Sequence, residues 1–230
     1  MINHMFKEKK IFIVSPHPDD EAICCGGLIM LAKQKKVSVF VLYISIGKSR
    51  QFLTGQTNSN ERIKEIIKAS KFGNFNYKIA YKGKAFMRMD QVPQKDLIEV
   101  IEDTLETYKP DIICIPNRFS FDQDHRAISL ACITALRPLP DNLLHQPTII
   151  LECEEPYSWT TQSLFRPNWY FDITKVMEEK LLLLQCHKTQ IRKDPFPRSP
   201  ENLKRLAGIR GCEISTTYAE SYNLLRGKFL

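Results

Sequence analysis

Short, unbroken apolar runs alternate with segments of helical periodicity along the chain, and this alternation constrains the fold more than any other feature. Strands are predicted at 11–15, 37–46, 77–81, 111–115 and 148–151, and helices at 21–33, 60–72, 94–108, 125–136, 174–189 and 200–207. A continuous apolar run is typical of a strand covered on both faces, as in a parallel sheet. The pattern therefore predicts a Rossmann-like, three-layer α/β/α fold with a mainly parallel sheet.

The chain length and the absence of punctuation predict a single domain. At 230 residues there is room for one large domain or two small ones. No linker-like segment or internal repeat interrupts the sequence, and the prolines near 195–200 indicate a turn rather than a boundary. We therefore expect one domain over residues 1–230, which at 43% hydrophobic residues is too apolar for a disordered chain.

The charge of the chain is unevenly distributed. The formal net charge is +7, which raises the alternative of a nucleic-acid-binding protein. Residues 47–88 carry 10 basic and 2 acidic side chains, whereas residues 89–174 carry 6 basic and 14 acidic ones. No recognition-module motif accompanies the basic stretch, so we expect no nucleic-acid partner. A basic rim that attracts an anionic nucleotide-linked or lipid-phosphate-linked sugar explains it better.

Cysteine usage and hydropathy favour a cytoplasmic protein. The seven cysteines form no C-x-x-C pair and no regular framework, which is typical of unpaired thiols in a reducing compartment. No apolar run approaches the ~20 residues of a transmembrane helix. Residues 1–10 lack the apolar core and cleavage site of a signal peptide.

The first polar cluster follows the first predicted strand directly. His17, Asp19 and Asp20 lie there together with Glu21, where the next helix begins. One aspartate would suffice as a helix cap, and adjacent carboxylates repel each other unless a cation offsets their charge. Ligands of open parallel sheets bind outside the carboxyl ends of the strands. These residues therefore predict a metal-binding or catalytic role as readily as a capping one.

A second cluster follows the strand at 111–115. Asp122, Asp124 and His125 also precede a helix, so both clusters can face one crevice. His17, Asp20 and His125 would supply two imidazoles and one carboxylate, a recurring ligand set of catalytic zinc. This combination predicts a zinc site, with another divalent metal as an alternative, and leaves Asp19 available to act on water.

Both clusters resemble signatures of one known family. The segment from Ser15 to Glu21 resembles the (A/P)-H-P-D-D-E signature of the LmbE/PIG-L family of zinc-dependent N-deacetylases, and Asp122 to His125 resembles its H-x-D-H motif. Further similarities occur at Phe171 to Thr174, at His187 to Gln190 and from Arg210 to Tyr222. The ordered set spans nearly the whole chain and is more specific than any single piece.

The resemblance implies a role for each matching residue. His17, Asp20 and His125 match the zinc ligands, and Asp19 matches the general base. Asp124 and His187 match positions that support the site or contact the substrate. The implied reaction is hydrolysis of an N-acetyl group on an N-acetylglucosamine-type amino sugar, which releases acetate and a free amine.

One position departs from the family pattern. The first histidine of H-x-D-H, which is thought to stabilise the oxyanion or protonate the leaving group, is replaced by Asp122. An ionised carboxylate would repel a developing oxyanion. Three explanations remain open: Asp122 is protonated and donates a hydrogen bond, Arg118 enters the site from the same loop, or the protein binds metal but is weakly active or inactive.

The sequence thus predicts a cytoplasmic, zinc-dependent amide hydrolase that acts on an acetylated amino sugar. The identity of the sugar, the metal in vivo and the oligomeric state stay open, with a homo-oligomer allowed.

Overall fold

The computed structural model describes residues 9–51, 55–83, 86–140, 142–157 and 165–228. The prediction that residues 1–10 contain no signal peptide concerns a segment that lies almost entirely outside the described residues. Within the described residues, no helix has the length and the apolar character needed to cross a membrane.

The elements alternate as the apolar pattern predicts. The strands are β1 (Lys10–Ser15), β2 (Ser38–Ile46), β3 (Ser49–Gln51), β4 (Gly55–Thr57), β5 (Asn76–Lys82), β6 (Ile112–Ile115), β7 (Ile149–Cys153), β8 (Trp169–Asp172) and β9 (Ala219–Gly227). The helices are α1 (Asp20–Gln34), α2 (Ser59–Gly73), α3 (Gln94–Tyr108), α4 (Gln123–Ala135), α5 (Met177–Leu184) and α6 (Pro200–Glu213).

Seven of these strands form one mixed, mostly parallel sheet in the order β5-β2-β1-β6-β7-β9-β8. The first five are parallel to one another, while β9 pairs antiparallel with both β7 and β8. The chain leaves β1 toward β2 on one side and later returns to β6 on the other. The point between β1 and β6 is therefore the topological switch point, where α/β sheets form their ligand crevice.

Helices cover the two faces of the sheet, so the α/β prediction is confirmed. Ile11 and Ile13 of β1 pack in a cluster with α1, α2 and α5, and Phe12 and Val14 pack in a second cluster with α3 and α4. All four side chains are at most 3% exposed. Because β1 is buried on both faces, its unbroken apolar run is explained directly.

The C-terminal third departs from the predicted elements. The single helix predicted at 174–189 is wrong, because α5 is flanked by 3₁₀ turns at Thr174–Val176 and Lys188–Gln190. Helix α6 continues six residues beyond its predicted end, and β8 and β9 were not predicted. Strand β9 contains buried Glu220 and Ser221 near its start, so the apolar run that marks a central strand is missing there.

Candidate active site

The two polar clusters meet at the switch point of the sheet. His17 lies two residues beyond β1 and Asp19 is the N-cap of α1. Asp122 is the N-cap of α4, and its carboxylate accepts a hydrogen bond from the backbone N–H of Asp124. Glu155 lies two residues beyond β7. Three neighbouring parallel strands thus deliver polar side chains to one edge of the sheet, as their shared direction requires.

Three side chains present ligand atoms to one point. His125 Nε2 lies 3.1 Å from Asp20 Oδ2, and His17 Nδ1 lies 3.7 Å from the same oxygen. Ligand atoms of the three residues all lie within 4.8 Å of one another. The backbone N–H of His17 donates to Asp20 Oδ2 over 2.9 Å, which fixes this carboxylate beside the two rings.

The other nitrogen of each histidine is held by a second carboxylate. His17 Nε2 lies 2.9 Å from Asp124 Oδ2, and His125 Nδ1 lies 2.7 Å from Glu155 Oε1. Since a carboxylate accepts, each of these nitrogens carries the proton and leaves the opposite one as a metal ligand. Metal-binding histidines are oriented by such outer carboxylates. The donor set therefore fits a divalent metal bound by two imidazoles and one carboxylate.

Asp19 is held under strain beside these residues. Its φ of 115° lies in the left-handed region, which costs a non-glycine residue roughly 1–3 kcal/mol. Its backbone N–H donates to Glu21 over 2.9 Å. Arg62 Nη2 and Arg198 Nη1 each lie 3.4 Å from one of its carboxylate oxygens. Two guanidiniums therefore flank a carboxylate that is 2% exposed.

Burial and neighbouring charges move the pKa values of the acidic groups in opposite directions. Burial raises the pKa of Asp19, although Arg198 and Arg62 oppose the rise. Burial also acts to raise the pKa of Asp20, but the charge and hydrogen bond of His125 outweigh it and hold that pKa well below its usual range. The two adjacent aspartates thus differ in proton affinity, and Asp19 is the better proton acceptor.

A cavity of about 350 Å³ opens over these groups. Its polar lining comes mainly from His17, Asp20, Asp122, His125, Glu155 and Arg198. Asp122 therefore reaches the cavity, as the family pattern implies for its position. The volume is within the range of pockets that bind small molecules.

Two of the residues singled out in the sequence lie outside this cavity. Arg118 donates from Nε to Glu152 over 2.7 Å, so it pairs at the end of β7. His187 is completely buried and donates or accepts at Nε2 with Glu21 Oε1 over 2.6 Å. It supports the residues that flank Asp19 from below.

Sequence reasoning missed two residues of the site. Glu155 has a local signal, because it belongs to an acidic group (Glu152, Glu154 and Glu155) at the end of a predicted strand. Arg198 has none beyond a basic side chain in a proline-rich loop. Its contact with Asp19 spans 179 residues of sequence.

Fold and site together define an α/β protein with a buried two-histidine, one-aspartate pocket suited to a divalent metal. A family model described as PIG-L, GlcNAc-PI de-N-acetylase, matches residues 12–136. The chain belongs to this family, which confirms the resemblance found in the sequence.

Curated relatives extend the similarity beyond the family segment. The chain is 25% identical to diacetylchitobiose deacetylase of Thermococcus kodakarensis over 100% of this chain and 88% of the relative. It is 26% identical to a probable N-acetyl-α-D-glucosaminyl L-malate deacetylase 2 of Bacillus anthracis over 81% and 83%, respectively. Both relatives are named as deacetylases, that is, hydrolases of an amide C–N bond.

A solved structure shows that the same fold is named for other chemistry as well. The 4-carboxy-2-hydroxymuconate hydratase GalB of Pseudomonas putida superimposes with a TM-score of 0.75 at 18% identity, over 96% of this chain and 98% of the hydratase. Likeness at that identity concerns the fold alone. The reaction has to be argued from the site.

Proposed function

We propose that this protein is a zinc-dependent deacetylase that removes the acetyl group from an N-acetylglucosamine-type amino sugar. The observation that carries the proposal is the meeting of His17 Nδ1, Asp20 Oδ2 and His125 Nε2, with the buried carboxylate of Asp19 beside them. Family membership and two relatives named as deacetylases support it. Zinc is proposed because two imidazoles and one carboxylate are a recurring catalytic zinc set.

His17, Asp20 and His125 would hold the metal ion in the floor of the cavity. A divalent ion bound there acts as a Lewis acid on the acetyl carbonyl. Asp124 and Glu155 keep both imidazoles in the orientation that this binding requires. Holding these ligands rigidly is the contribution of the protein at this point.

Asp19 moves the proton of the reaction. Its carboxylate takes a proton from the attacking water, and it returns that proton to the amine nitrogen when the C–N bond breaks. A pKa raised by burial suits both roles, because a stronger base accepts the proton more readily and the protonated form persists until the amine leaves. The products are acetate and the free amino sugar, so atoms balance with one water consumed.

The proposal is tested by metal analysis together with a deacetylation screen over N-acetylglucosaminyl compounds, in which released amine is measured. His17→Ala should lose bound zinc and activity together. Asp19→Asn, its matched counterpart, should retain zinc at the wild-type stoichiometry and lose turnover. Full activity of a metal-free His17→Ala protein would refute the mechanism.

Asp122 favours a second candidate, a family member that binds metal but turns over poorly. Its carboxylate lines the cavity and is already used to cap α4. Asp122→His restores the residue of the family pattern. A gain of deacetylase activity would identify a weakened enzyme. Absence of activity in both proteins, with zinc bound, would favour the silent candidate.

The acceptor part of the substrate is also a proposal. The two relatives are named for different acceptors, diacetylchitobiose and an L-malate conjugate. The basic excess at 47–88 suggests an anionic handle, such as a nucleotide or lipid phosphate. Parallel KM measurements on neutral and anionic N-acetylglucosaminyl compounds, at low and high salt, test this directly.

A further inference from the structure

The cavity is strongly acidic apart from one side chain. Asp20, Asp122 and Glu155 line it, and Asp19 lies against it. Among the described residues that line the cavity, Arg198 is the one lysine or arginine. A negatively charged oxygen that forms on a substrate here therefore meets one permanent positive charge supplied by the protein.

Arg198 is held in place by its loop. Ser199, the next residue, is the N-cap of α6, and its hydroxyl accepts from the backbone N–H of Asn202 over 3.2 Å. The backbone N–H of Ser199 donates to Phe196 over 2.8 Å, and Ser199 is fully buried. The side chain of Arg198 is 25% exposed. The guanidinium is thus fixed at the cavity wall instead of extending into solvent.

The contacts of Arg198 within the described residues leave part of its donor capacity unused. Nη1 lies 3.4 Å from Asp19 Oδ2, and the side chain hydrogen-bonds the Tyr157 hydroxyl. Nε is buried and has no partner among the described residues. A guanidinium carries five N–H donors in a rigid fork, so one arm can hold Asp19 while another reaches an atom beside it.

We propose that Arg198 is a further catalytic residue, which stabilises the oxyanion formed on the acetyl carbonyl. The inference rests on the proposed function, because it assigns a part in that reaction. Water that gives its proton to Asp19 attacks a carbonyl carbon about 3 Å away, which is the separation of reacting atoms before attack. The carbonyl oxygen therefore lies within reach of a guanidinium that already touches Asp19.

Electrons and atoms balance in this step. The water oxygen forms a bond to the carbonyl carbon, and the C=O π pair moves to the carbonyl oxygen, which becomes the oxyanion. Collapse reforms the C=O bond and breaks the C–N bond, and Asp19 delivers its proton to the nitrogen. Arg198 keeps its own proton throughout and acts by charge and hydrogen bonding.

Other basic side chains near the cavity are committed elsewhere. Arg118 pairs with Glu152. Arg62 donates to the backbone carbonyl of Pro18 and to Glu65, over 2.7 Å for the latter, in addition to its contact with Asp19. Asp122 accepts a backbone N–H as the cap of α4 and offers a carboxylate to the cavity. Arg198 thus fills the place that the missing family histidine leaves.

The test compares Arg198→Gln, Arg198→Lys and a control, Arg205→Gln, in the zinc-loaded protein. Arg205 lies on α6 and pairs with Asp194 at the surface, 60% exposed, so its loss removes a guanidinium near the loop but not from the cavity. Arg198→Gln should lower kcat by about 10²–10³-fold at nearly unchanged KM. Arg198→Lys should recover part of the loss, since it keeps the charge but not the fork. Bound zinc and circular dichroism should match the wild type in all three variants.

A binding measurement separates this inference from the proposed function. Methylphosphonate is a tetrahedral anion without a sugar, and calorimetry of zinc-loaded protein gives its affinity directly. Arg198→Gln should weaken its binding at least about tenfold, whereas Arg205→Gln should not. If the wild type deacetylates no amino sugar, the proposed function fails and this titration still decides the role of Arg198. Unchanged methylphosphonate affinity in Arg198→Gln would overturn the inference, because a residue that only positions Asp19 leaves anion binding intact.

Discussion

Glu155 should control metal affinity although it touches no ligand position itself. Its Oε1 accepts from His125 Nδ1 over 2.7 Å, and its Oε2 accepts from the Ser120 hydroxyl over 2.6 Å. It is 6% exposed, so solvent screens these bonds weakly. Substituting it therefore tests whether the outer carboxylate holds the imidazole for metal binding.

The two natural truncations of this interaction differ in magnitude. Glu155→Gln keeps an amide oxygen as acceptor but removes the charge, and a charge-assisted hydrogen bond exceeds a neutral one by roughly 1 kcal/mol, or somewhat less than tenfold in affinity. Glu155→Ala removes the acceptor altogether, so about 10–100-fold weaker zinc binding is expected, equivalent to roughly 1.4–2.7 kcal/mol. The order wild type, Gln, Ala follows from the geometry.

Competition between the protein and a zinc chelator of known affinity measures this directly. Glu154→Gln is the matched control, because the neighbouring carboxylate is also buried but pairs with Arg210 over 2.5 Å. That control should lower the free energy of unfolding and leave zinc affinity unchanged. Zinc affinity within twofold of wild type in Glu155→Ala would refute the argument that Glu155 orients His125.

Two further predictions concern buried charges that support the site. Lys180→Met should lower the free energy of unfolding by about 3–5 kcal/mol, because it leaves Glu220, 2.6 Å away and buried, without its cation; urea denaturation with a loss below about 1 kcal/mol would contradict this. Burial acts to lower the pKa of His187, but Glu21 outweighs it and raises that pKa above the ordinary 6.5. The stabilisation from this raised pKa is complete below about pH 6.5 and is lost as pH rises through the raised value. The stability gap between wild type and His187→Gln should therefore be larger at about pH 6 than at about pH 9, and an equal gap would exclude the effect.

The central part of the fold could be predicted because its signals are local. The run in β1 is apolar at every position since both faces are covered, and α3 was predicted at its observed bounds from its spacing of apolar residues. Strand β9 gave no such signal. Its buried Glu220 accepts from the N–H groups of Gly27 and Leu28 and from Lys180, partners that only the folded chain brings near.

The sequence by itself determined the fold class, the family and the two polar clusters that end neighbouring strands. These follow from residue order, because the carboxyl ends of parallel strands must share one edge of a sheet. Tertiary structure alone decided which side chains complete the site. Glu155 reaches His125 and Arg198 reaches Asp19 because β7 and the loop before α6 pack beside the switch point. No local pattern encodes a contact across 179 residues, since it depends on how all the intervening elements pack.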